Sequence, residues 1–205
     1  MRIRLRAKDI TTLPDIALIR HSISQPVPGV SAHTWELTDL GVQRCAALAD
    51  ALRPYALSRL ATSDEPKAVT TAETLHTHLN IAAPLIIEPA FRETRRESAA
   101  YFDNLGLFRS AIREAMKDAE HVIFGEEAFN AARIRFTTAL DALIAAHPGE
   151  SLGVVTHGTI MAMVLTHWTG VDAYSTWAAL EMPAFAVVSG PGRHLVEFKP
   201  ALDVP

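Results

Sequence analysis

The chain places its most reactive side chains where apolar runs stop. Ile16-Ala17-Leu18-Ile19 ends on Arg20 and His21, and Leu152-Gly153-Val154-Val155-Thr156 ends on His157 and Gly158. A third run, Arg59 to Ser63, leads through Asp64-Glu65-Pro66 to Lys67. A guanidinium and an imidazole both lose hydration at the end of a buried run, so the arrangement makes sense when they face a shared anion. Imidazole titrates near neutrality and serves as nucleophile, base or hydrogen-bond donor, whereas Arg20 and Lys67 bring standing positive charge. Two imidazoles and two cations gathered in one place make a pocket for an anion, and phosphate fits best.

For these residues to meet, the three runs must be strands of one sheet whose carboxyl ends share a rim, because ligands of open α/β sheets bind there. The rest of the pattern agrees. Strong apolar runs alternate with amphipathic stretches, as in a mostly parallel sheet covered by helices on both faces. The expectation is a three-layer α/β/α fold with strands at Ile16 to Arg20, Arg59 to Ser63, Leu85 to Glu88, Leu152 to Thr156 and Phe185 to Ser189, and an edge strand at His194 to Phe198. Thr38 suits the N-cap of a helix from Asp39 to Leu52 that Pro54 stops, and Pro66 suits the first turn of a helix reaching Leu79. Helices that start at this rim would add backbone N–H groups and positive dipole ends to it. Residues 91 to 127 are less regular and more charged, with a helix-like run from Phe108 to Ala119. They read as an insertion lying over the carboxyl ends of the strands within a single domain spanning 1 to 205, since they lack the apolar residues for a core of their own. A helix from Glu126 to Ala146 follows.

With 205 residues, 49% of them hydrophobic, the chain can close one substantial core. Its formal charge of -4 argues against a nucleic-acid partner, which needs a concentrated cationic face. Arg2, Arg4 and Arg6 do alternate with Ile3 and Leu5, and this period of two reads as an edge strand from Met1 to Lys8. Cys45, the single cysteine, has no internal disulfide partner and reads as core filler. Neither a signal-peptide pattern nor a run of membrane-spanning length is present, so a soluble, cytoplasmic protein with no membrane partner is expected.

Four segments, "LIRHSIS", "WELTDLGVQRCAALADAL", "SDEPKAVTTAE" and "VVTHGTI", follow one another across nearly the whole chain. In order and spacing they resemble the histidine phosphatase superfamily, the phosphoglycerate mutase-like proteins. The resemblance implies that His21 attacks phosphorus, holds the phosphoryl group as a phosphohistidine and passes it to water. It implies that Arg20, Lys67, His157 and Ser24 grip the phosphate, and that Glu93 in "AFRETRRE" is the proton donor, with Glu88 and Glu97 as competing carboxyls. No metal or other cofactor is implied, since the cations take its place. The expected function is a metal-independent phosphomonoester hydrolase acting on a small phosphorylated substrate. Arg95 or Arg96, beside the acid, would read an acidic group on it. The alternatives are a phosphoglycerate mutase-type phosphotransferase and a phospho-ligand binding or regulatory protein with a weakened site.

The weakened site is suggested by departures from the family pattern. Ser22 stands where glycine follows the nucleophile, Val27 where an asparagine touches phosphate, Thr159 where a second glycine is common, and Lys67 where arginine is usual. Ser22 would either donate to phosphate or crowd the turn. Lysine keeps the charge but loses the planar fork that grips two oxygens, a loss of about 1 to 3 kcal/mol. Other features have plainer readings: His76 and His78, two apart on a helix, face different ways, and Met161, Met163, Trp168 and Trp177 read as core and interface material. Substrate identity and oligomeric state are not encoded in any of these motifs.

Overall fold

Parity along the first strand divides the core. In β1 (Ile16–Arg20), Ile16 and Leu18 join one apolar layer and Ala17 and Ile19 the other, and all four are buried. A strand with no solvated face belongs inside a sheet. β1 lies between β4 (Leu152–Thr156) and β5 (Ala184–Ser189) in a six-stranded sheet completed by β2 (Arg59–Thr62), β3 (Ile86–Ile87) and β6 (His194–Lys199), in the order β3-β2-β4-β1-β5-β6. The first four strands are parallel to their neighbours in that set, and the β1–β5 and β5–β6 pairs are antiparallel. The computed structural model describes residues 14–98, 102, 104–190 and 192–202. The edge strand expected from Met1 to Lys8 lies outside them.

Helices cover both faces, giving the three-layer α/β arrangement that the pattern predicts. α1 (Asp39–Leu52) and α2 (Pro66–Leu79) bury Leu48, Leu52, Ala68 and Leu75 against one face. α4 (Phe129–Ala146) and α5 (Gly158–Thr169) bury Phe136, Leu140, Ile160 and Val164 against the other. A smaller cluster ties α3 (Leu105–Lys117) to this side, with Ile112 and Ala115 packed on Phe129 and Met163, and Trp177 of α6 (Ala173–Ala179) beside them. Among the described residues no helix is long and apolar enough to cross a membrane.

Local chemistry sets the element ends. Thr38 Oγ1 accepts from Gly41 N at 2.9 Å and caps α1. At Gly41 the helix presses on the loop after β1 so closely that a Cβ would sit 2.2 Å from the Ile23 carbonyl oxygen. α3 starts at Leu105 rather than Phe108, because the Asn104 side chain accepts from the amides of Gly106 and Leu107. α4 starts at Phe129 rather than Glu126, because the two glutamates before it are committed elsewhere. Glu126 accepts from the amides of Glu97 and Ser98, each at 2.9 Å, and Glu127 accepts from the amide of Arg95 at 3.1 Å. Arg135, from the middle of α4, pairs with Glu127 and donates to the carbonyls of Ala90, Arg92 and Glu93. Residues 92 to 98, which form no helix or strand, are thereby laced to the body of the fold. β2 is one residue shorter than expected, β3 shrinks to two residues, and α6 had no sequence expectation.

Candidate active site

Strand register brings the chemistry to one rim. Arg20 pairs with Thr156 and Thr62 with Val155, so His21, His157 and Ser63 all follow the same edge of the parallel sheet. Pairing continues one step further, with His21 N donating to Thr156 O at 2.9 Å and Ser63 N to Val155 O at 3.2 Å. The His21 and His157 rings meet edge to face with centroids 5.1 Å apart. Both are buried, at 5% and 1% exposure. The two imidazoles that the sequence separates by more than a hundred positions are neighbours.

Their partners fix what each nitrogen does. His21 Nδ1 lies 2.7 Å from the Ser22 carbonyl oxygen, which can only accept, so Nδ1 carries the hydrogen and Nε2 keeps its lone pair. Burial holds the His21 pKa well below the usual imidazole value, and the charges of His157, Lys67 and Arg20 push the same way against the Ser22 bond. His157 is lowered well below that value too, first by burial and then by Lys67, with Glu93 opposing. Both rings are therefore neutral at pH 7, and His21 presents an unprotonated nitrogen.

Cations surround them. Arg20 donates from Nη1 to Leu180 O at 2.5 Å, and its guanidinium lies flat on Gly158, where a Cβ would come within 3.0 Å of Cζ. Burial lowers its pKa to about 10. Lys67 Nζ donates to Ala32 O at 2.6 Å and to Glu65 Oε2 at 2.5 Å. Arg96 sits 3.6 Å from Glu93 and over the Phe108 and Phe124 rings. Among the described residues, Arg20 Nε and His157 Nδ1 are buried without hydrogen-bond partners. Unpaired buried polar atoms are costly, and these two border the same cleft of about 390 Å³, together with His21, Ser24 and Lys67.

Glu93 also lines the cleft, and both its oxygens are engaged. It accepts from Thr159 N at 2.9 Å and Ile160 N at 3.0 Å, so it caps α5, and from Thr94 N at 2.9 Å. Burial pushes its carboxyl up, but Arg96, His157 and these amides together hold it below the usual carboxylate range. Of the competing carboxyls, Glu97 lines the cleft, while Glu88 caps the short turn at Pro89–Phe91 by accepting from Ala90 N and lies outside the cleft. Arg96 reaches the cleft, as does Arg109 of α3. Arg95 does not, being 59% exposed and paired at 3.9 Å with Glu127. Arg92 lines the cleft but is bound to Asp64 through two hydrogen bonds.

The chain matches the model of the histidine phosphatase superfamily (branch 1) over residues 16–189. It belongs to that superfamily. No curated protein matches it. Among solved structures, "Mycobacterial hydrolase 2" is similar with a TM-score of 0.74 at 17% identity, covering 95% of this chain and 94% of that one. A mycobacterial glucosyl-3-phosphoglycerate phosphatase is similar with a TM-score of 0.67 at 19% identity, covering 93% and 97%. The alpha-ribazole phosphatase from Shigella flexneri is similar with a TM-score of 0.69 at 18% identity, covering 93% and 99%.

For a histidine phosphatase superfamily member, the departures noted in the sequence now have places. Ser22 is fully buried with its backbone N donating to Thr71 Oγ1 at 3.1 Å, and its side chain turns toward Cys45 and away from the cleft. It does not line the cleft. Cys45 is core, its thiol pushed up to about 11 by burial. Val27 is 41% exposed and outside the cleft. Glu65, which sequence reasoning passed over, is buried at 3% exposure between Lys67 and His157. The motif shows an acidic residue two positions from Lys67, but nothing in it shows that this residue is buried.

Proposed function

We propose that this protein is a phosphomonoester hydrolase working through a phosphohistidine on His21. The observation that carries the reading is the pair of buried, unpartnered nitrogens, Arg20 Nε and His157 Nδ1, bordering one cleft with the unprotonated Nε2 of a neutral His21. A tetrahedral phosphoryl group satisfies all three, accepting from Arg20 Nε, and from His157 Nδ1 once that ring gains a proton, while its phosphorus meets the lone pair. His21 Nε2 forms a bond to phosphorus as the bond to the ester oxygen breaks, and water then attacks phosphorus, giving one proton to the Glu93 carboxylate as the P–N bond breaks. Lys67 and Arg20 stabilise the non-bridging oxygens, and Ser24 completes the grip.

Glu93 gives the leaving oxygen its proton. On its own this carboxyl is held ionised by Arg96, His157 and the amides of Thr159 and Thr94. A bound ester sets negative charge beside it and shares Arg96, which raises its pKa and lets it take a proton from water. Arg96, Glu97, Leu105, Phe108 and Arg109 form the leaving-group side of the cleft. Arg96 and Arg109 there complement an acidic group on a small phosphorylated substrate, a class to which the substrate of the similar glucosyl-3-phosphoglycerate phosphatase belongs.

A second reading, a phospho-ligand binding protein with little turnover, is favoured by Lys67, whose ammonium already serves Ala32 O and Glu65. One experiment separates them. Purified protein is assayed on an aryl phosphate and on acidic phosphomonoesters with chelator present, with and without vanadate, beside His21→Ala. Turnover that vanadate inhibits and His21→Ala abolishes supports the hydrolase, with lower KM expected for the acidic esters. Ester binding without turnover supports the second reading.

A further inference from the structure

Glu65 is a buried charge for which the roles above leave no use. It stands in the loop before α2, and its carboxylate touches three site elements. Oε2 accepts from Lys67 Nζ at 2.5 Å, while Oε1 accepts from the Glu93 amide at 3.0 Å and lies 3.3 Å from His157 Nε2. The Ser63 hydroxyl is 2.8 Å from the same imidazole nitrogen and accepts from the Glu65 amide at 3.4 Å. The Ser63 hydroxyl can donate or accept, whereas a carboxylate oxygen 3.3 Å away only accepts, so the two together favour hydrogen on this nitrogen. His157 Nδ1 is then bare and faces the cleft with no partner among the described residues. A bare nitrogen repels phosphoryl oxygens and a protonated one binds them. His157 can therefore hold phosphate only after gaining a second proton.

We propose that Glu65 is a positioning residue acting through His157: it turns Nε2–H toward itself, aims Nδ1 at the phosphate, and holds the imidazolium that forms when phosphate enters. For a monoanionic phosphate or ester the step balances simply. The P–O–H proton passes to Nδ1, the O–H bond breaks as Nδ1–H forms, and the bound group becomes a dianion beside a cation. The charges facing the pair come from every side. Lys67 of α2, Arg20 at the end of β1, His21 just after it and Arg96 after β3 oppose the added proton, while Glu93 favours it, Glu65 lies 3.3 Å from Nε2, and Arg92 faces Glu65 from the other side. The inference rests on the phosphatase reading only for its kinetic arm.

The direct test is 15N NMR of the histidine rings while inorganic phosphate is titrated near neutral pH. In free wild-type protein His157 should carry hydrogen on Nε2 alone, and saturating phosphate should add hydrogen to Nδ1 with Nε2–H retained. In Glu65→Gln, whose amide oxygen can still accept from the Glu93 amide, Nδ1 should stay bare and phosphate should bind about tenfold more weakly. On an aryl phosphate the same variant should lose about tenfold to a hundredfold in kcat. Glu65→Asp should recover part of that loss, and Glu65→Gln should add little in a His157→Asn background. A free wild-type ring with its hydrogen on Nδ1 overturns the proposal, even if every variant unfolds. So does a Glu65→Gln protein that protonates Nδ1 as wild type does, or kinetic losses that simply add in the two backgrounds. Wild-type protein without His21-dependent turnover would instead sink the phosphatase reading and leave the phosphate titration standing.

Discussion

Lys67 brings its charge to the cleft on an ammonium already shared with Ala32 O and Glu65. Two of its three hydrogens are engaged, so one remains for an anion. Lys67→Met should lower kcat/KM about tenfold to a hundredfold, as for loss of one hydrogen bond to a charged group. It should also destabilise the fold by about 3 kcal/mol, because Glu65 is left as a buried unpaired carboxylate. Glu65→Leu combined with Lys67→Met removes both charges, and its melting temperature should return most of the way to wild type while turnover does not. Melting curves and aryl phosphate kinetics on the three proteins check this; a double variant no more stable than Lys67→Met would show that the pair is not the source of the loss. Residue types and spacing named His21, His157, Arg20 and Lys67 because each follows an apolar run. The same reasoning left Glu65 out, since nothing in one dimension shows that a carboxylate two places from Lys67 is buried with it.

At the scale of elements, the loop after β1 that carries His21 depends on how closely α1 can approach it. The Cβ of an alanine at position 41 would overlap the Ile23 carbonyl, a backbone atom that cannot swing aside. Gly41→Ala should therefore cost about 2 kcal/mol or more in a denaturant titration and also lower kcat, because the strain falls on the turn carrying Ser22 to Ser24. An unchanged midpoint would mean the contact is looser than this geometry. β1, α1, α2 and β4 were legible to the residue, through uninterrupted apolar runs, the Thr38 cap and the proline at the start of α2. Elements whose ends are set by distant side chains were not. Glu126 and Glu127 look like a helical first turn, yet their carboxylates serve residues 95 to 98. α3 was placed three residues late although its cap, Asn104, is in plain view. Arg135 has the look of a solvated helix face, and only the fold shows it reaching three loop carbonyls.

Over the whole molecule, two buried neutral histidines make stability depend on pH. Their folded pKa values are lowered well below 6.5, so below that point the unfolded chain binds protons that the native chain refuses. The stability they permit is complete above about pH 6.5 and is lost as pH falls, at up to about 1.4 kcal/mol per pH unit for each ring. Melting temperatures from about pH 7.5 to about pH 5 should fall more steeply for wild type than for His157→Asn. Equal slopes would mean that His157 is charged when folded. The lacing of residues 92 to 98 works on this scale as well. The amides of Glu93, Thr94, Arg95, Glu97 and Ser98 each donate to a glutamate side chain rather than to backbone. A loop so fastened should take up deuterium almost as slowly as a sheet strand, even though its secondary structure resembles a mobile surface turn. This wall of the cleft is then set before any ligand arrives, and under the proposed function discrimination among esters would fall to shape matching by a stiff wall instead of closure by a pliant one.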